Sequence, residues 1–163
     1  MKNYDEGTYG KEYRNHILEQ YKLYVEMADK ISQRRLETNN FFVSVNTLLL
    51  AFFTQLSGWG REATVIISVI GVLISGAWYY LLKNYRQLNT GKYQVVHDIE
   101  KMLPISPYDE EWEKLGRGVN KKLFWPISYL EIVLPIVFLC IYIMIFVLLV
   151  IVRVQSGAVV PSP

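Results

Sequence analysis

Cysteine is almost absent. Cys140 stands alone, so the chain can form no disulfide with itself and no cysteine-based metal site. Histidine is nearly as scarce, with only His16 and His97. An excess of one charge is also missing. The 17 Lys and Arg against 15 Asp and Glu leave a net charge of +2, too small to attract nucleic acid. There is no Gly-rich phosphate loop, no nucleophile elbow and no HExxH pattern. No enzyme activity, cofactor or metal is therefore expected, and no catalytic residue is assigned. His97, Asp98 and Glu100 come nearest to a ligand set. Adjacent residues on a helix point to different faces, so the three read as a surface ion-pair cluster.

What the chain does have is segregation. A length of 163 residues suggests one domain. Residues 1–39 hold seven basic and seven acidic side chains, and residues 83–122 hold eight and six. Between and after these blocks the sequence is nearly pure hydrocarbon. Three stretches, 40–60, 63–82 and 127–152, match the roughly 20 apolar residues that a helix needs to cross a bilayer. The first two carry no charge, and the third carries only Glu131. An all-α integral membrane fold with three transmembrane helices is the expectation. Residues 1–39 hold no short apolar stretch with a small-residue cleavage site, so no cleavable signal peptide is expected.

Fifteen of the 17 Lys and Arg lie in 1–39 or 83–122. The positive-inside rule then places the N-terminus and segment 83–125 in the cytoplasm and tail 153–163 outside. Ser57 to Glu62 is a tight hairpin loop with Gly58 and Gly60. Trp59, Trp78, Tyr79, Tyr80, Trp125 and Tyr129 sit near span ends, where amphipathic rings favour the headgroup zone.

The cytoplasmic blocks read as long helical extensions. Ile17, Tyr21, Tyr24, Ala28 and Ile31 are spaced 4, 3, 4, 3, a narrow apolar seam. Glu26 and Lys30 form an i,i+4 pair on the opposite face. No Pro or Gly interrupts 11–56, so helix is expected to run from the charged block into the first span. The seam packs on the chain's own 83–122 segment, on a neighbouring subunit, or on both at once. Leu88, Val95, Val96, Ile99, Met102 and Leu103 give a second apolar face, ended by Pro104 and Pro107. The run Tyr108 to Trp112 is an acidic helix start with aromatic groups, and Tyr108 and Trp112 are candidate contacts for a cytoplasmic protein partner. Gly116-Arg117-Gly118 reads as a loop before Lys121-Lys122, which can meet anionic headgroups.

Within the spans, Asn40, Ser44, Thr47, Ala51 and Thr54 share one helical face, continued by Gly58; Asn46 lies off it. Ser68, Gly71 and Ser75, with Gly76 beside them, form a packing patch on the second span. Small residues let backbones approach, so both faces should meet protein or water. The third span is nearly all aliphatic from Ile136 onward, as suits a lipid-facing helix. Glu131 is its intramembrane charge, and such a group is a functional candidate by default. The structural alternative is that it snorkels, or pairs with Lys83, Arg86 or one of Asn39, Asn40 and Asn46. Pro135, one turn on, leaves the carbonyl of residue 131 without its helical partner.

Taken together, Tyr21-Lys22, Glu26, Ala28-Asp29, Ile31-Ser32, Arg34-Arg35 and Asn40-Phe41 resemble the approach to the first span in RipA-family octameric membrane proteins of bacteria. Trp78-Tyr79-Tyr80, Tyr85 to Asn89, Lys92, Leu103-Pro104, Pro107-Tyr108, Glu111-Trp112, Glu131 and Pro135 continue the likeness across about residues 13–140. The chain is more distantly similar to SLATT-type membrane effectors, from which it departs by its third span. The resemblance implies an octamer in the bacterial inner membrane, a homo-oligomeric ring whose partners are itself and the bilayer. Three readings follow: a channel-like or scaffolding ring, which could serve as a defence effector; a non-conducting scaffold that docks a partner through 83–122; and a lipid-handling accessory, motivated only by Glu131 and nearby Lys residues.

Overall fold

The computed structural model describes the backbone of residues 4–55, 60–119 and 127–158, and the side chains of 4–53, 55, 60–117, 119 and 130–155. The Thr54 and Tyr129 side chains, Gly58, Trp59, Lys121, Lys122, Trp125 and the last residues of the tail lie outside this set.

Five helices carry the described chain, and no strand occurs among the described residues. They are α1 (Glu6–Tyr9), α2 (Tyr13–Gln55), α3 (Arg61–Glu100), α4 (Pro107–Lys114) and α5 (Ile127–Ala158), with a 3-10 turn at Gly116–Gly118. α2 runs for 43 residues without a Pro or Gly to stop it. α3 follows Gly60, whose φ of +95° makes the turn, and runs 40 residues before Pro104 and Pro107 bar its continuation. α5 passes through Pro135 as one helix.

Among the described residues, two helices are long and apolar enough to cross a membrane, one within Arg61–Glu100 and one at Leu130–Gln155. Part of the stretch expected as the first span, 40–60, falls outside the described residues.

Where length suggested one domain, the chain forms two compact units. The charged and apolar parts each pack on themselves.

The first unit comprises Met1–Leu36 and Asn84–Ser128. Ala28 and Ile31 of the α2 seam are buried, as are Val96 and Ile99 of α3. The Lys92 ammonium sits 5.6 Å from the centre of the Tyr24 ring, and the Asn89 amide donates to the Ser32 hydroxyl at 3.4 Å. The seam thus packs on the chain's own 83–122 segment, one of the two arrangements its spacing allowed.

The second unit comprises Glu37–Lys83 and Tyr129–Pro163. Trp78 is fully buried, stacked on Phe42 with centroids 5.8 Å apart and set against Phe138 at 6.0 Å. Its position near the end of an apolar run suggested an interfacial ring. The two flanking aromatics instead make it the centre of this unit's core. Outward, α5 exposes an aliphatic surface that includes Val137, Met144, Leu148 and Val152.

Candidate functional site

The second unit is tied together at Asn46. Its position on α2 points inward, where apolar side chains surround an amide that must find partners or pay for its desolvation. The side-chain amide donates to the Phe42 carbonyl at 2.8 Å. Its oxygen accepts from the Ser75 hydroxyl of α3 at 3.2 Å. The backbone carbonyl of the same residue accepts from the Tyr142 hydroxyl of α5 at 3.2 Å. Three helices therefore meet at one residue. The Asn46 amide is thus engaged with Phe42 and Ser75.

Gly71 completes the junction. A Cβ built at this position would run into the Tyr142 ring. Absence of a side chain is what lets α5 lay its tyrosine across α3. Ser68, Gly71 and Ser75 are all buried, and the Ser68 hydroxyl donates to the Thr64 carbonyl at 2.8 Å. The face named from the first span lies differently. Asn40, Ser44, Thr47 and Ala51 are exposed on the single chain. The Ser44 hydroxyl donates to the Asn40 carbonyl at 2.9 Å and that of Thr47 to the Val43 carbonyl at 2.8 Å. Both hydroxyls are thus satisfied within their own helix and need no water. Glu131 is half-buried, on the same face of α5 as the buried Pro135 and Tyr142.

The first unit has a second junction, at Glu100. This last residue of α3 is fully buried. Its Oε1 accepts from the Tyr21 hydroxyl at 2.9 Å and the Tyr108 backbone N–H at 3.0 Å. Its Oε2 accepts from the Asp109 N–H at 3.2 Å. Those two amides belong to the first turn of α4, whose own leading residue, Ser106, makes no side-chain cap. A carboxylate from α3 therefore caps α4 and meets the positive end of its dipole. Sequence proximity groups Glu100 with His97 and Asp98 as a surface ion-pair cluster. The cluster is split: Asp98 pairs with Lys101 at 2.7 Å on the surface, and Glu100 faces inward with His97 Nδ1 at 3.5 Å. Three residues separate Glu100 from His97 and four from Val96, which puts it on the buried face of α3.

Tyr108 is half-buried against Tyr21, with ring centroids 6.5 Å apart, and against Tyr93 at 5.9 Å. Burial, then the hydrogen bond to Glu100, pushes the Tyr21 phenol above its usual range. Burial, followed by the negative charge of Asp29, does the same for Tyr93 and Tyr108. Tyr108 is therefore engaged within the unit, and Trp112 on α4 is partly exposed. Sequence reading passed over Asn46, Glu100 and Tyr142 as junction residues. The available signal was positional: Glu100 is four residues from Val96, on the apolar face of α3. No group of three or more His, Cys, Asp or Glu placed to hold a metal occurs among the described residues.

Compared with known families, residues 18–151 match the model described as the octameric membrane protein family (8xMP). That stretch takes in both junctions. No curated protein and no solved structure matches the chain.

Proposed function

The chain belongs to the octameric membrane protein family, and from that membership we propose that it assembles as a homo-octameric ring of three-span subunits in the bacterial inner membrane. Its N-terminus and segment 83–125 are cytoplasmic and its C-terminus is outside. α2 and α3 surround the symmetry axis, and the ring is channel-like, with no enzymatic activity. A place as the membrane effector of a defence system is the finer form of this reading.

The observation that supports it is the exposed face of Asn40, Ser44, Thr47 and Ala51. An exposed small and polar face on a helix that also carries the apolar Phe41, Leu48 and Phe52 is poorly suited to lipid. It suits close helix contact or a water-lined axis, and the helix-bonded hydroxyls are compatible with either. Thr47→Trp tests this in a vesicle flux assay with native mass measurement. The expected outcome is loss of flux or of the octamer. Unchanged flux together with unchanged mass would sink the claim for this face.

A second reading rests on Trp112, which is exposed on the acidic α4. Here the ring is a non-conducting scaffold that docks a cytoplasmic protein through 83–122. Pull-downs with and without Trp112→Ala separate the readings, because only the scaffold loses a partner.

A further inference from the structure

The first unit has two unlike sides. Lys92 lies over the Tyr24 ring, which fixes one of them. Leu88, four residues before Lys92, shares its side of α3, and Met27, three after Tyr24, shares that of α2. Leu23 lies one turn before Met27, and Arg34 two turns after it. Leu23, Met27 and Leu88 are 53%, 38% and 53% exposed, respectively, although all are apolar. This side is therefore apolar and basic.

The bond between Asn89 and Ser32 fixes the other side. Asp29, three residues before Ser32, and Tyr93, four after Asn89, belong to it. Met27 and Asp29 are two residues apart, hence about 200° apart around α2. Tyr93 meets Tyr108, which brings α4 to this side. The negative charges of Asp29 and Glu111 both bear on the Tyr93 phenol. This side carries Tyr93, Tyr108 and the exposed Asp29 and Glu111, together with the exposed Lys22 and Leu36 two turns before and after Asp29.

We propose that the occupant of the Leu23, Met27, Leu88 and Arg34 side is a second copy of this chain, seated through its Asp29 and Glu111 side. The inference rests on the ring reading above and assigns its contact faces. A closed ring requires heterologous contacts, in which two different surfaces of each subunit meet head to tail. A unit that presents Leu23, Met27, Leu88 and Arg34 on one side and Tyr93, Asp29 and Glu111 on another meets that requirement; a single self-complementary patch does not. The exposed Leu and Met side chains supply the buried area. The charges set orientation and exclude the like-charged arrangement.

The test uses the full chain with Cys140→Ser, carrying Met27→Cys and Glu111→Cys together, in nanodiscs with a flexible bismaleimide. The expected result is a covalent ladder of dimers, trimers and larger species up to eight chains, with no crosslink when either cysteine is present alone. Native mass of the same samples separates the two levels of the argument. An octamer without a ladder overturns the face assignment and leaves the ring standing. A parent protein that is not an octamer overturns both. In case the cysteines disturb folding, Arg34→Glu and Glu111→Arg are made separately. Each is expected to lower the octamer fraction at least tenfold at unchanged helix content, and an octamer unmoved by both overturns the proposal.

Discussion

The two units solve the same problem with different chemistry. Each joins three helices through one buried polar residue. In the unit of 37–83 and 129–163 that residue is Asn46, a neutral amide among aromatic and aliphatic side chains. In the charged unit it is Glu100, a carboxylate met by a phenol and two backbone amides at the start of α4. A charge among hydrocarbon costs far more than an amide unless donors converge on it. At Glu100 a helix N-terminus is within hydrogen-bonding reach, at the start of α4. The difference shows that the junction residue is chosen by the donors the surrounding elements can bring. A carboxylate suits a helix start, and an amide suits a bundle whose backbone groups are already paired.

Removing the carboxylate should produce the largest effect. Glu100→Ala strips the partner from the Tyr21 hydroxyl and from two α4 amides, and a loss of about 3 kcal/mol is expected, typical of breaking a buried, hydrogen-bonded charge. Hydrogen exchange should show α4 losing protection before α2 and α3. If α4 stays as protected as in the parent, the junction is not what holds it. Gly71→Ala probes the other unit by overpacking. The added methyl meets the Tyr142 ring, so about 2 kcal/mol of destabilisation is expected. Tyr142→Leu in the same chain should recover part of that loss. No recovery would mean that the clash is not with this ring.

The sequence made the helices legible and left the junctions hidden, for a physical reason. Helix over 13–55 and 61–100 follows from the absence of Pro and from periodicity, both local properties. The Ile17 to Ile31 seam was equally visible, although its partner was not, because a spacing of 4, 3, 4, 3 fits an intramolecular or an intermolecular neighbour alike. Asn46 and Glu100 depend on what converges from three distant segments. Residue type alone misdirects there: a carboxylate beside His97 and Asp98 resembles a surface cluster, and an asparagine outside a polar stripe resembles a bystander. Trp78 misdirected in the same way, since a tryptophan near the end of an apolar run fits both a headgroup belt and a stacked core. The stripe of Asn40, Ser44, Thr47 and Ala51 was readable as one face, and it is exposed on the single chain.

Alkaline titration sharpens the contrast with a smaller effect than either substitution. Tyr21, Tyr93 and Tyr108 are all raised above the ordinary phenol value by burial, with Glu100 or Asp29 next in importance. A raised folded-state value means that the folded unit favours the neutral phenol. Its contribution is complete below the unfolded value of about 10 and is lost as pH rises through the folded value. Stability of the charged unit should therefore fall above about pH 10. Tyr21→Phe should flatten that fall while sacrificing the Glu100 hydrogen bond at neutral pH. A fall just as steep in Tyr21→Phe would assign the titration to Tyr93 and Tyr108 alone.

The smallest effect is expected at Ser75→Ala. It deletes one neutral hydrogen bond, from the Ser75 hydroxyl to the Asn46 oxygen. Interhelical bonds of this kind in membrane bundles average about 0.6 kcal/mol, because the separated helices also find partners. The Asn46 amide keeps its bond to the Phe42 carbonyl, and the Asn46 carbonyl keeps Tyr142. Only one acceptor is left short, and the contacts of Gly71 with Tyr142 are untouched. Reversible unfolding of the bundle in detergent should thus register Ser75→Ala several-fold below Gly71→Ala. If the order is reversed, hydrogen bonding at Asn46 dominates this unit, and close packing at Gly71 does not, so the two units would be organised by the same kind of force after all.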